Sequence, residues 1–363
     1  MKYHIVLSRP FDLERIARDA QVGKRPRHVM WGLSQRLGAA IYQPGADPVL
    51  PLDKMRAKIV GSPQHWALAR ALSSQVKSDD VIYCAGEDVG IPVAMLCGSK
   101  QDRPKIVVFV HNLDRPRGQV ALKLLPLANW IDLFVTNNRH QADFLRRYLR
   151  LPEARVCVLC DQTDTTFFTP GPASPDKLRP MIASGGLEKR DYRTLASATQ
   201  NLDVDVKICA FSPNKAVSAQ AFPKIMPDNM LCRFYEWPEL VQLYRDANLV
   251  VISLIDNNYS AGLTTMFEAM ACRRPVVVTR IQGPINELVT SGVVTGVNPG
   301  DSAGLQQAIV SLLNNPQEAE AQAQRGYELV LKQHNSEQYI EALATRLISS
   351  PVDQFSTKME LAL

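Results

Sequence analysis

The chain has 363 residues, 46% of them hydrophobic and 21% charged, which is too long for one comfortable core, about right for two domains, and too apolar for long disorder. Its net charge of +5 is uneven: residues 1–150 carry 23 Lys and Arg against 13 Asp and Glu, the rest carry 18 against 23, so a basic front half at +10 precedes an acidic back half at −5. No apolar run nears the roughly 18 residues that span a bilayer, Met1–Leu7 lacks the layout of a signal peptide, and seven scattered cysteines fit a reducing cytosol better than a disulfide framework.

Short runs rich in Val and Ile predict strands at His4–Leu7, Ala39–Gln43, Val81–Ala85, Ile106–Val110, Leu133–Asn137 and Val156–Leu159. They are continuous rather than alternating, as strands buried on both faces should be. Helical patterns lie between them at His28–Leu37, Gln64–Val76, Val89–Leu96 and Asn138–Leu149. The stretch Asp164–Pro180, with Pro170, Pro172, Pro175 and Pro180, interrupts this rhythm and reads as an extended linker. Strands then resume at Met181–Ser184, Val206–Ala210, Leu231–Tyr235, Leu249–Leu254, Pro275–Thr279 and Gly292–Val297. The helices among and after them are Asp191–Ala198, Trp237–Asp246, Thr264–Ala271, Pro284–Leu288, Ser302–Asn314 and Pro316–Gln333. The reading is α/β: two tandem Rossmann-like, doubly wound domains facing a cleft. Residues 1–163 form the first, 164–180 the linker and 181–335 the second. Residues 336–363 supply a helix, Ser336–Ile348, that packs back on the junction, followed by a poorly ordered tail.

In open parallel sheets ligands bind beyond the C-terminal strand ends, so the residues following each strand carry the functional argument. After Leu249–Leu254 comes a small-residue loop, Ser260, Ala261 and Gly262, opening a helix at Leu263, Thr264 and Thr265. Such a loop lets a ligand approach the backbone, and the helix N-terminus offers free N–H groups to an anion. Glu268, on the first turns, can accept hydrogen bonds from sugar or ribose hydroxyls. The other reading is an ordinary helix start with a capping threonine and an exposed glutamate. After Met181–Ser184, the turn Gly185-Gly186 leads to Lys189 and Arg190, either donors to a diphosphate or a solvated basic turn capped by Asp191. His111 follows Ile106–Val110, as a proton-handling group or a structural histidine. Cys157 and Cys160 have zinc-like spacing but no second ligand pair. Tyr235-Glu236-Trp237 can line a base pocket or pack in the core, and Met266, Phe267 and Met270 are core residues of their helix.

Taken in order, these pieces resemble the retaining family 4 glycosyltransferases of the GT-B fold (glycosyl transferases group 1). Phe267-Glu-Ala-Met-Ala-Cys-Arg-Arg-Pro-Val-Val-Val-Thr279 is similar to the family's donor-site helix and next strand. Gly283-Pro-Ile-Asn-Glu-Leu288, Gly296-Val-Asn-Pro-Gly-Asp301 and Asp164-Thr-Thr-Phe-Phe-Thr-Pro170 stand where three further signatures belong. The resemblance implies transfer of a sugar from a nucleotide sugar, a UDP-hexose, with retention of anomeric configuration and no metal cofactor. It places Glu268 on the ribose, Gly262–Thr265 and Lys189 or Arg190 on the diphosphate, and His111 near the donor sugar. Three positions depart from the pattern. Ser260 replaces a glutamate that contacts donor-sugar hydroxyls, with Asp256 or Asn258 as substitutes; Gly186 displaces an arginine; and Ser8-Arg9-Pro10-Phe11 replaces a glycine-rich loop.

In this fold the first domain binds the acceptor, and here it is the basic one. Gly23-Lys-Arg-Pro-Arg-His-Val-Met-Trp-Gly-Leu33 joins a basic cluster to an apolar stretch, with Arg115 and Arg117 as flanking cations. It reads either as a surface for anionic lipid headgroups beside a glycolipid acceptor or as a solvated face with Trp31 buried. The expected location is cytoplasmic, peripheral on a membrane face. A soluble saccharide acceptor, or nucleotide-sugar binding without transfer, stand as alternatives. No nucleic-acid module is present.

Overall fold

A computed structural model describes residues 1–175, 177–210, 221–257 and 261–349, without the Arg117 side chain. Twelve strands form two sheets. The first holds β1 (Tyr3–Val6), β2 (Ala40–Tyr42), β3 (Val81–Cys84), β4 (Lys105–Phe109), β5 (Leu133–Thr136) and β6 (Val156–Val158), in the order β2-β1-β3-β4-β5-β6. The second holds β7 (Met181–Gly185), β8 (Asp205–Cys209), β9 (Met230–Arg233), β10 (Leu249–Ile252), β11 (Val276–Thr279) and β12 (Thr295–Val297), in the order β12-β11-β10-β7-β8-β9. Every pairing is parallel, for example Ile5 opposite Tyr83 and Val250 opposite Ala183. All residues of β3, β5, β10 and β11 are buried, the pattern that continuous Val and Ile runs require when helices cover both faces. The expected pair of doubly wound, parallel α/β sheets is therefore observed.

Strand order reverses between β1 and β3 in the first sheet and between β7 and β10 in the second. At such a reversal the flanking connections leave to opposite faces and open a crevice at the C-terminal strand ends. Ser184 Oγ donates to Val251 O at 2.6 Å in the buried interior and locks the second reversal point.

The chain divides into two compact units. The first comprises Met1–Arg15, His28–Cys160 and Tyr339 onward; the second comprises Ile16–Arg27 and Asp161–Gln338. The expected linker thus groups with the second unit, and side chains explain why. Phe168 is buried in that unit's core, Arg245 donates to Thr169 O at 3.0 Å, and Ser174 N donates to Asp246 Oδ1 at 2.7 Å. The final helix, Ser336–Ile348, contributes its residues from Tyr339 to the first unit. There Lys105 Nζ, on β4, donates to the carbonyl oxygens of Arg346, Leu347 and Ser349 at 3.0, 3.1 and 2.7 Å. A cation placed on the last carbonyls of a helix meets the negative end of its dipole. The expected tail after Ser349 lies outside the described residues.

Four helices were not legible from periodicity: Leu13–Gln21, Pro51–Arg56, Pro116–Leu124 and the single turn Leu127–Trp130. Two open with proline at the first helical position, where its missing N–H does no harm, although in sequence it reads as a breaker.

Candidate active site

Gly185 ends β7, and Gly186 follows with φ +86°, where a Cβ would stand 2.7 Å from Arg190 Nη2. Glycine at 186 therefore permits both the left-handed turn and the return of the arginine onto it. Arg190 is only 6% exposed. Its Nε donates to Gly185 O at 2.7 Å, Nη1 to Glu188 O at 2.9 Å and Nη2 to Thr265 Oγ1 at 3.3 Å. All three acceptors are neutral, and burial lowers the guanidinium below its ordinary pKa. A buried cation hydrogen-bonded only to neutral acceptors is expensive unless an anion joins it.

The turn is strapped to the strand beyond the reversal. Asp191 N donates to Ser253 O at 2.9 Å and Ile255 N to Lys189 O at 3.0 Å. Tyr192 OH donates to Gly186 O at 2.6 Å. Lys189 holds φ +55° with its side chain exposed. Asp191 caps the next helix, accepting from Thr194 N at 3.2 Å. The basic turn is thus half as expected: Lys189 faces solvent, whereas Arg190 turns inward.

Leu263–Ala271 starts at Gly262, φ +92°, with no side-chain cap. A Cβ at Gly262 would stand 2.8 Å from Ile252 Cγ2, so only glycine fits. Neither Thr264 nor Thr265 is the cap: Thr264 is exposed, and buried Thr265 receives Arg190. Among the described residues no side chain caps the first N–H groups of this helix, which have no intrahelical partner. Ala261 is buried, while Ser260 and Asn258 lie outside the described residues; Asp256 is exposed.

Glu268 is 7% exposed, not a solvated glutamate. Tyr244 OH, fully buried, donates to its Oε2 at 2.8 Å. Burial pushes the carboxyl pKa up to about 7, against the opposing pull of Tyr244 and Arg190. Arg190, Thr265 and Glu268 thus form one cluster at the β7/β10 reversal. Tyr244 carried no signal in the sequence, standing 24 residues from Glu268 in a helix whose period marks it as core.

In the first unit, a cavity of about 590 Å³ opens at the ends of β1, β3 and β4; Ser8, Phe11, His28, Glu87, Asp88 and His111 help line it. Ser8 Oγ donates to Asp88 Oδ1 at 2.6 Å. The Glu87 carboxylate accepts the backbone N–H groups of His111 and Asn112 at 2.9 and 3.0 Å, fixing the loop after β4. The exposed His111 ring leans on Phe109, centroids 4.6 Å apart. Glu87 was missed in the sequence although it stands three residues beyond β3, where the strand-end rule applies.

The basic cluster Gly23–Leu33 divides between the units: its residues through Arg27 belong to the second, where Arg27 pairs with buried Asp164 and with Glu337, each at 2.6 Å. Trp31 is half-buried. None of the seven cysteines forms a disulfide. Among the described residues no three His, Cys, Asp or Glu side chains gather as metal ligands, and no helix is long and apolar enough to cross a membrane.

Two Rossmann-like units, the second with a buried cation beside an open helix N-terminus at its switch point, define the GT-B class of fold. Residues 189–315 match the family described as glycosyl transferases group 1. A D-inositol 3-phosphate glycosyltransferase of Mycolicibacterium vanbaalenii is 26% identical over 206 residues, a match that spans 48% of this chain and 44% of that relative. Among solved structures, HepE of Anabaena in complex with UDP and glucose matches at 15% identity and TM-score 0.68, covering 96% of this chain and 99% of that one. An α,α-trehalose-phosphate synthase (UDP-forming) of Burkholderia vietnamiensis matches with the same identity, TM-score and coverage. At these identities the structural likeness establishes the fold.

Proposed function

We propose that the chain is a retaining, metal-independent glycosyltransferase that moves a hexose from a UDP-sugar to an acceptor hydroxyl. The observation that carries this reading is Arg190, a buried guanidinium with neutral partners beside the uncapped helix Leu263–Ala271. A diphosphate is the anion such a site suits: as the glycosidic bond lengthens, negative charge grows on the leaving phosphate, and Arg190, Lys189 and the N–H groups of Leu263, Thr264 and Thr265 stabilise it. In this reading Gly185, Gly186, Ala261 and Gly262 keep the approach clear. Ionised Glu268 accepts the ribose hydroxyls. The departing phosphate takes the acceptor proton in a front-side attack, with His111 near the reacting centre. The match of residues 189–315 and the UDP bound by HepE support the donor assignment.

For the acceptor, the +10 of residues 1–150 supports a glycolipid reached from the cytoplasmic face of an anionic membrane. A soluble phosphorylated polyol is the second reading, favoured by the relatives named for inositol phosphate and trehalose phosphate. A thermal-shift series with nucleoside diphosphates, followed by turnover of the stabilising sugar nucleotide with lipid extracts and with sugar phosphates, tests both. UDP should raise the unfolding temperature by several degrees. No response to any nucleoside diphosphate overturns the proposal.

A further inference from the structure

Leu50–Ile59 in the first unit turns its apolar side outward. Leu50, Leu52, Met55 and Ile59 are 43, 45, 58 and 47% exposed. The bonds Lys58 N to Met55 O and Ile59 N to Arg56 O carry helical turning beyond the helix Pro51–Arg56, so Leu52, Met55 and Ile59 fall along one stripe. At about 100° per residue, the exposed Lys54 and Lys58 lie on one flank of that stripe, while the Arg56 guanidinium turns inward, 5.4 Å over the ring of buried Trp66. The opposite side is anchored: buried Asp53 accepts Leu50 N at 2.9 Å and Arg70 Nη2 at 3.1 Å. Asp53 is also the only acid between Asp47 and Asp79, so the outward face holds cations and apolar groups without a carboxylate. A second copy laid on this face by two-fold symmetry would set cations against cations.

We propose that Leu50–Ile59 is a docking surface for an anionic bilayer, lying flat with its stripe at the headgroup–acyl boundary and Lys54 and Lys58 on lipid phosphates. This rests on the peripheral-membrane reading above and moves the contact from Gly23–Leu33 to Leu50–Ile59. So short a stripe holds reversibly, and salt weakens it.

Flotation of the full chain with vesicles of phosphatidylcholine, with and without about one-third phosphatidylglycerol, tests the surface. The chain should float with the anionic vesicles only, and ~0.5 M salt should release it. Lys54→Glu with Lys58→Glu should lower the bound fraction at least about tenfold, and Met55→Ser with Ile59→Ser about fivefold. Unfolding temperature and stabilisation by UDP should stay at wild-type values in both variants. Wild-type chain that ignores anionic vesicles, or variants that float like wild type, overturn the surface. So does a concentration-dependent dimer that Met55→Glu abolishes. UDP-induced stabilisation without flotation removes the docking surface alone; flotation without any nucleotide response removes the glycosyltransferase reading and leaves the surface standing.

Discussion

At the β7 end of the second unit a guanidinium and a carboxyl are buried, Arg190 and Glu268 at 6 and 7% exposure. At the β4 end of the first unit, His111 stands in solvent above an open cavity, and the nearby Glu87 carboxylate is committed to backbone N–H groups. Both edges sit at switch points of similar sheets, so topology alone does not explain the contrast. Buried, pre-aimed charges suit a ligand that is always the same, since burial strengthens each interaction and removes reorganisation. An open cavity suits a ligand that arrives second and can vary. On the proposed reading the contrast is that between a fixed donor site and an adaptable acceptor site.

Four substitutions break or sharpen that contrast. The largest effect is expected for Arg190→Ala, which removes a buried donor from the developing phosphate charge. Turnover should fall about 10²–10³-fold, and UDP should no longer stabilise the chain. Retained UDP stabilisation would show that the buried cation serves folding alone.

Glu268 comes next, through pH. Because burial raises its pKa to about 7, the neutral form is favoured in the folded chain. That stabilisation is complete below the unfolded value and is lost as pH rises through 7. Glu268→Gln should therefore gain stability relative to wild type between pH 5 and 8, by on the order of 3 kcal/mol, in urea titrations at each pH. On the proposed reading the ionised carboxyl is the stronger acceptor for ribose hydroxyls, so wild-type affinity for UDP should rise more steeply through pH 7 than that of the variant. Calorimetric titration at pH 6 and 8 reads the difference.

Tyr244→Phe is milder. Losing the buried donor to Glu268 should weaken UDP binding by about 1.5 kcal/mol and move the pH midpoint of binding upward, since the hydroxyl favours the ionised carboxyl. A uniform loss of affinity with no midpoint shift would make the tyrosine a packing residue only.

The smallest change is expected in the first unit. Glu87→Gln leaves one of the His111 and Asn112 N–H groups facing an amide NH₂, and kcat should drop by about 1 kcal/mol, roughly fivefold. UDP-induced stabilisation should be unchanged. Unaltered kcat would detach the His111 loop from catalysis.

The twelve strands were legible because runs such as Leu249–Ile252 and Val276–Val278 have nothing but β-branched and aliphatic residues to bury on both faces. The turn at Gly185-Gly186 and the helix start at Gly262 were legible for the same kind of local reason. What the sequence did not carry was direction. Lys189 and Arg190 are adjacent cations, yet one faces water and the other folds back under Gly186, a choice made by Thr265 some 75 residues later. Glu268 reads as an exposed helical glutamate until Tyr244 is seen beneath it. The assignment of Ile16–Arg27 to the second unit depends on the Arg27–Asp164 pair, 137 positions apart. Such long-range pairings leave no periodicity.

The grip of Lys105 on Arg346, Leu347 and Ser349 has a consequence for biosynthesis. A chain emerging from the ribosome exposes β1 to β6 first, but the residues that complete their unit come last. The first sheet must wait, with part of its surface uncovered, while the whole of Asp161–Gln338 is made and folded. Interrupted synthesis or C-terminal trimming before Tyr339 should therefore harm the oldest part of the molecule and spare the newer one, so that a truncated product would lose its first unit to proteases while keeping the second.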